Sequence, residues 1–244
     1  MLKLMKYDLK SKRERILAIF VIMLLVQAGI WFTNSSMGSE LITLHILTYA
    51  GFGFALLLFS FFSYFRYLRS YARRLLPVPT VQSVLSPLLL FWVLLLAVVA
   101  IAAIHFGLYI LVYSTDILPA NFWTVVLWSV LNLLWTAGFE LILLMFALTL
   151  AVSLRVKGTV WIAIAVFMVV ENGLSLFEKK FWGTYISALD NVFRFEVFDP
   201  STVSSGLRLY GTPTVFFWPF LFEAVIGAVL VYVISLLIQK RIEN

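Results

Sequence analysis

Three carboxylates, Glu140, Glu171 and Glu223, interrupt stretches of this chain that are otherwise almost wholly apolar, and Asn172 follows the second of them. A charged carboxylate inside such a stretch is costly, so each should face a bundle interior, a wet cavity or a partner. Three roles are open to such groups: a polar lining for a substrate, a path for protons, or hydrogen bonding between helices. Two histidines, His45 and His105, stand singly in other apolar stretches. They form no H-E-x-x-H pair and lack the neighbouring carboxylates of a zinc site, so no metal site is expected. The chain has no cysteine, which excludes disulfides, thiolate metal sites and cysteine nucleophiles. No G-x-S-x-G elbow occurs; Gly206 follows Ser204 and Ser205, but no histidine lies near them in the sequence. No G-x-x-x-x-G-K-[ST] loop occurs, so the chain is not expected to bind and hydrolyse ATP in the P-loop manner. No catalytic residue and no resident cofactor are expected.

The elements that position these groups follow from composition. Of 244 residues 63% are hydrophobic and only 12% charged, with a mean hydropathy of +1.02. A soluble domain of this length needs more charge to cover its surface. Six apolar runs, at 16–33, 42–64, 88–113, 125–153, 159–177 and 215–238, are each long enough to cross a hydrocarbon core of about 30 Å. The first follows a basic stretch, as a signal peptide would, but it is longer than a usual apolar signal core and no A-x-A site follows; it is read as a retained span. Aromatic residues gather near the run ends: Trp31, Tyr64, Tyr113, Trp123, Trp161 and Trp218. That is where amphipathic rings sit between headgroup and acyl chain. The expectation is an all-α membrane protein, a single transmembrane domain over 1–244, with no room for a separate soluble domain.

Charge orients the bundle. Lys3, Lys6, Lys10, Lys12, Arg13, Arg15, Arg66, Arg69, Arg73, Arg74, Arg155, Lys157, Lys240 and Arg241 fall on one side, and only Lys179, Lys180, Arg194 and Arg208 on the other. The positive-inside rule places the first side, and both chain ends, in the cytoplasm of a cell membrane, expected to be a bacterial plasma membrane. Bands of charge beside spans also account for the formal charge of +6 without nucleic-acid binding.

Three flanking segments carry further signals. In residues 1–15, Leu2, Met5 and Leu9 share one helical face and lysines occupy the rest, an amphipathic segment suited to lie at an anionic leaflet. In residues 65–87, Arg66, Arg69, Arg73 and Arg74 extend the second span. Pro77 and Pro79 should then stop that helix. Thr80 is placed to cap a short helix over 81–85, with Pro87 opening the third span. In residues 178–214, Trp182, Tyr185, Leu189 and Phe193 follow helical spacing, as expected of a helix lying on or dipping into the outer leaflet. Pro219 should kink or break the last span near the outer face.

The basic stretch followed by Leu75-Leu76-Pro77-Val78-Pro79-Thr80 and the apolar start at Val84-Leu85 resembles the coupling-helix region of ABC-2 type permeases, the transmembrane subunits of ATP-binding-cassette exporters. The elbow, the six spans and the long outer segment agree with that family in outline; Pro87 departs from it, standing where a lysine is common. The resemblance implies two identical or related permease chains forming a pathway between them. It also implies two ATPase subunits, carrying ATP and Mg, docked on the elbow and on Arg66, Arg69, Arg73, Arg74, Pro77, Val78, Pro79, Thr80 and Val81. The cargo it implies is amphipathic or hydrophobic: antimicrobial or toxin-like peptides, drugs or lipids. An ion-coupled secondary transporter using the intramembrane glutamates is the alternative reading of the same residues.

Overall fold

In the computed structural model, residues 2–33, 39–69, 79–113, 122–154, 157–183 and 213–242 are described; they hold seven α-helices and no strand. These are α1 Leu2–Ser11, α2 Arg13–Thr33, α3 Ser39–Arg69, α4 Thr80–Tyr113, α5 Phe122–Ser153, α6 Thr159–Trp182 and α7 Pro213–Leu237, the last widening into a π-helical turn at Ile238–Ile242. Six of them, α2 to α7, are long and apolar enough to cross a membrane. The chain is an all-α, multi-pass membrane protein. Helices are the natural solution because a lipid-exposed backbone must satisfy its own hydrogen bonds.

The central helix is α5, which packs against α3, α4, α6 and α7. More than half of its membrane window is buried, against 6% for α6, the helix least covered by its own chain. The main core joins Met23 of α2, Leu56 and Tyr64 of α3, Phe91 of α4, Leu141, Met145 and Leu148 of α5 and Ile234 of α7. A smaller cluster of Phe139, Leu143 and Leu230 meets Phe167, Val170 and Leu174 of α6.

Close approach of α4 and α5 depends on Gly138. A β-carbon there would overlap the indole of Trp92, which lies against α5 and donates its Nε1–H to the Leu134 carbonyl at 3.2 Å. Small residues at such crossings are how helices in lipid gain packing contact.

The spans fall where apolar length places them, but the helices run further. The third expected run gains two turns at its start: residues 81–85 form the first turns of α4 rather than a separate short helix, and Pro87 lies inside it. The prolyl ring removes one N–H, whereas ending the helix would strand several backbone groups, so the helix continues. Pro219 likewise lies within an unbroken α7. The fifth run continues past 177 to Trp182, where Gly183 in the left-handed region (φ 70°) closes it by donating its N–H to the Lys179 carbonyl. Trp182 is therefore the last residue of α6 rather than part of a separate outer helix; residues 184–212 of that segment, with Tyr185, Leu189 and Phe193, lie outside the described residues.

Tyr64, expected at a headgroup boundary, is instead 1% exposed, because α3 extends past it to Arg69. Its hydroxyl pairs with that of Thr149 on α5 at 2.8 Å. In α1, Met5 meets the core and Asp8 is buried, while Leu9 is exposed. Lys12 accounts for the inward turn of Asp8. It pairs with Asp8 at 3.7 Å and donates to Ser63 of α3, turning the Asp8 side of the elbow inward.

Candidate functional site

The carboxylates come from three helices that meet around α5. Glu140 sits on the buried face of α5, Glu171 on α6, and Glu223 on α7 beyond the proline. The fold brings all three to one cavity, together with a fourth, Glu178, 2% exposed. Glu171, Ser175 and Glu178 are four and three residues apart, so one stripe of α6 supplies three polar groups to the cavity. Phe139 and Leu143 of α5 form its apolar wall. The space is about 10 Å³, on the order of one water.

The four carboxylates are held differently. Glu223, 1% exposed, accepts a hydrogen bond from the Trp135 indole at 2.5 Å, and Trp135 packs at a tilt against Phe220 with ring centres 4.3 Å apart. Glu171 is half-buried and accepts from the Asn172 amide at 3.3 Å. Glu140, 7% exposed, has no hydrogen bond or ion pair among the described residues. Among the described residues no lysine or arginine lines the cavity. Four carboxylates gathered round one cavity are placed to bind a positive charge, a proton or a cationic group, and Glu223 also bonds between helices through Trp135.

Of the polar residues expected in the pathway, Glu140, Glu171 and Glu223 converge as described. Asn172 does not line the cavity: it is exposed on α6, where its amide also donates to the Met168 carbonyl at 2.7 Å. Glu178 escaped sequence reading because it stood past the expected end of the fifth span. Its spacing of seven from Glu171, which returns to the same helical face, was the signal available.

A second polar region lies at the end of the bundle where α2 begins. The Lys12–Ser63 bond joins the elbow to the last turns of α3, and α1 packs on α4. Gln239, after α7, donates to Thr80 at the start of α4 at 3.2 Å. The elbow, the end of α3, the start of α4 and the end of α7 therefore share one end. On it Arg66, Arg69, Pro79 and Val81 are exposed, with the Arg69 guanidinium 4.2 Å from the centre of the Phe65 ring. Thr80 is buried. Arg73, Arg74, Pro77 and Val78 lie outside the described residues.

The two histidines, solitary in sequence, are also brought together. His45 of α3 and His105 of α4 meet edge to face with ring centres 4.6 Å apart, at the end of the bundle opposite the elbow. Periodicity gives no hint of this contact, because it depends on which faces of α3 and α4 meet.

Fold and sites define a multi-pass helical membrane protein with a carboxylate-lined cavity between α5, α6 and α7 and a basic end. No protein-family model, curated protein or solved structure matches the chain.

Proposed function

We propose that this chain is the permease subunit of an ABC exporter, its basic end facing the cytoplasm of a bacterial plasma membrane. The observation that carries the reading is the shared end. The elbow is locked to α3 through Lys12 and Ser63, beside the exposed Arg66, Arg69, Pro79 and Val81. A soluble ATPase pressing on that surface would move α3 and α4 directly, since α4 runs unbroken from Thr80 into the bundle. ATP and Mg would be bound by the partner, and a second copy or a related permease would complete the pathway. The cargo is amphipathic or hydrophobic, a peptide, drug or lipid. Purification with the ATPase encoded beside this chain tests the proposal. A stable complex, weakened when Arg66, Arg69, Arg73 and Arg74 are replaced by glutamate, supports it; absence of a complex, with export intact in that variant, overturns it.

The convergence of Glu140, Glu171, Glu178 and Glu223 on a cavity of single-water size favours a second reading, an ion-coupled secondary transporter. In that case transport collapses with a protonophore and survives depletion of ATP; in the exporter it does the reverse.

A further inference from the structure

Near the end of the bundle opposite the elbow, α6 and α7 meet through aromatic rings. Phe177 stacks on Phe222 with ring centres 5.0 Å apart and planes 16° from parallel, and Trp182 also packs against Phe222 at 5.4 Å. Phe181 joins the cluster through Phe177 at 4.4 Å. The two helices touch each other far less than either touches α5. Chain direction fixes which end this is. Ser63 bonds to the elbow and its neighbour Tyr64 pairs with Thr149, so α5 closes, and α6 begins at Thr159, on the elbow side. α6 therefore runs away from the elbow, and Trp182 is its last residue.

Periodicity places the rings over the carboxylate cavity. Glu171, Ser175 and Glu178 line it, and the next residue of the same helical stripe, four further on, is Trp182. At about 1.5 Å per residue, Glu171 lies roughly 16 Å from the end of α6 and Glu178 roughly 6 Å. On α7, Phe222 directly precedes Glu223, another residue of the cavity, on the side away from the elbow. Trp182 and Phe222 thus stand between the carboxyl groups and that end. Lys179 and Lys180, exposed in the same last turn, mark the membrane boundary there.

What the cavity holds gives such a closure a purpose. Glu140, 7% exposed, lines it without a hydrogen bond or ion pair among the described residues. A buried carboxyl so placed is costly unless a positive charge reaches it, and a space of single-water size admits only a small one. Trp182 is suited to move: it is half-buried, it ends its helix, and Gly183 follows it. Rings on the last turn of a helix part by local fraying, without opening the core around α5.

We infer that Trp182 and Phe222 form a lid over the cavity, and that a small cation, no larger than a water molecule, enters beneath it from the end opposite the elbow and meets Glu178 first. This rests on the reading of the cavity as an ion site and adds its entrance.

The natural chain has no cysteine, so Ser175→Cys places a single thiol in the cavity. Cells producing the full chain, and inverted vesicles made from them, are treated with methanethiosulfonates that do not cross membranes, one carrying a quaternary ammonium and one a sulfonate. Lys6→Cys, exposed on the elbow, reports in parallel which face the elbow occupies. The Ser175→Cys thiol reacts from the face opposite Lys6→Cys. Adding Phe222→Ala or Trp182→Ala speeds that reaction about tenfold, the shift in lid opening that two lost ring contacts imply. The ammonium reagent outpaces the sulfonate at least about tenfold, as a carboxylate-lined cleft concentrates cations, and Glu178→Gln narrows the ratio. Thermal midpoints check that each variant folds, and either lid variant suffices. Reaction from the elbow's face, equal rates for the two reagents, or a rate unmoved in a folded lid variant each overturn the inference. The protonophore test can fail while these results stand, because it reports coupling of transport to the ion and not the route by which the ion arrives.

Discussion

Trp135 of α5 donates its indole N–H to Oε2 of Glu223 on α7 across 2.5 Å, and this bond links the two helices at the edge of the carboxylate cavity. Trp135→Phe keeps most of the ring's packing on Phe220 but leaves a nearly fully buried carboxylate short of a donor. The expected loss is about 1–2 kcal/mol, read as a lower thermal midpoint in detergent. Adding Glu223→Leu to that variant should restore part of the loss, because the buried carboxylate that lost its indole donor is then gone.

Glu140 is expected to respond in the opposite sense. It is buried and without a hydrogen-bonding partner among the described residues, so Glu140→Gln removes the titratable carboxyl without breaking a bond. Its thermal midpoint should equal or exceed that of the natural protein, while transport measured in vesicles falls. A variant both less stable and fully active would remove Glu140 from the pathway.

Gly138→Ala places a β-carbon in the space of the Trp92 indole. The rigid ring cannot fold away, so α4 and α5 must part, at an expected cost of about 1–3 kcal/mol. Trp92→Leu costs stability of its own, yet combined with Gly138→Ala the two losses should sum to more than the double variant shows. Thermal midpoints of the four proteins measure the coupling.

The Tyr64–Thr149 bond, wholly buried between α3 and α5, makes a simpler test. Tyr64→Phe leaves the Thr149 hydroxyl its bond to the Met145 carbonyl at 2.7 Å. The loss should be close to 1 kcal/mol. Tyr64→Ala, which also opens a cavity, should cost about 3–5 kcal/mol. Chemical unfolding monitored by tryptophan fluorescence distinguishes them.

Arg66 and Arg69 are exposed on the surface proposed to meet an ATPase. Reversing both charges should shift stability by no more than about 0.5 kcal/mol per site, yet reduce the ATPase retained on copurification. Loss of the complex together with unfolding would instead make these arginines structural.

Apolar length by itself determined the six spans, because a segment that must satisfy its backbone in lipid has no other regular form. The partition of lysine and arginine likewise grouped the chain ends and the 65–87 loop on one side, and in the fold Lys12 with Ser63 and Gln239 with Thr80 meet at a common end. Glu140, Glu171 and Glu223 were legible as a set because carboxylates are conspicuous in apolar runs.

Only the tertiary structure decided what meets what. In water a helix marks its buried face with apolar residues; in lipid both faces are apolar, and the pattern that would orient α3 against α4 is absent. Hence the contact of His45 with His105, sixty residues apart in sequence, and the close approach of Trp92 to Gly138 left no trace in periodicity. Glu178 was hidden for a different reason: Lys179 and Lys180 look like the end of a span, yet they favour the carboxyl terminus of a helix. That helix continues to Gly183 and carries Glu178 into the cavity. The carboxylates were evident from the chain as residues that must face something; the packing of α6 and α7 on α5 decided that they face one another.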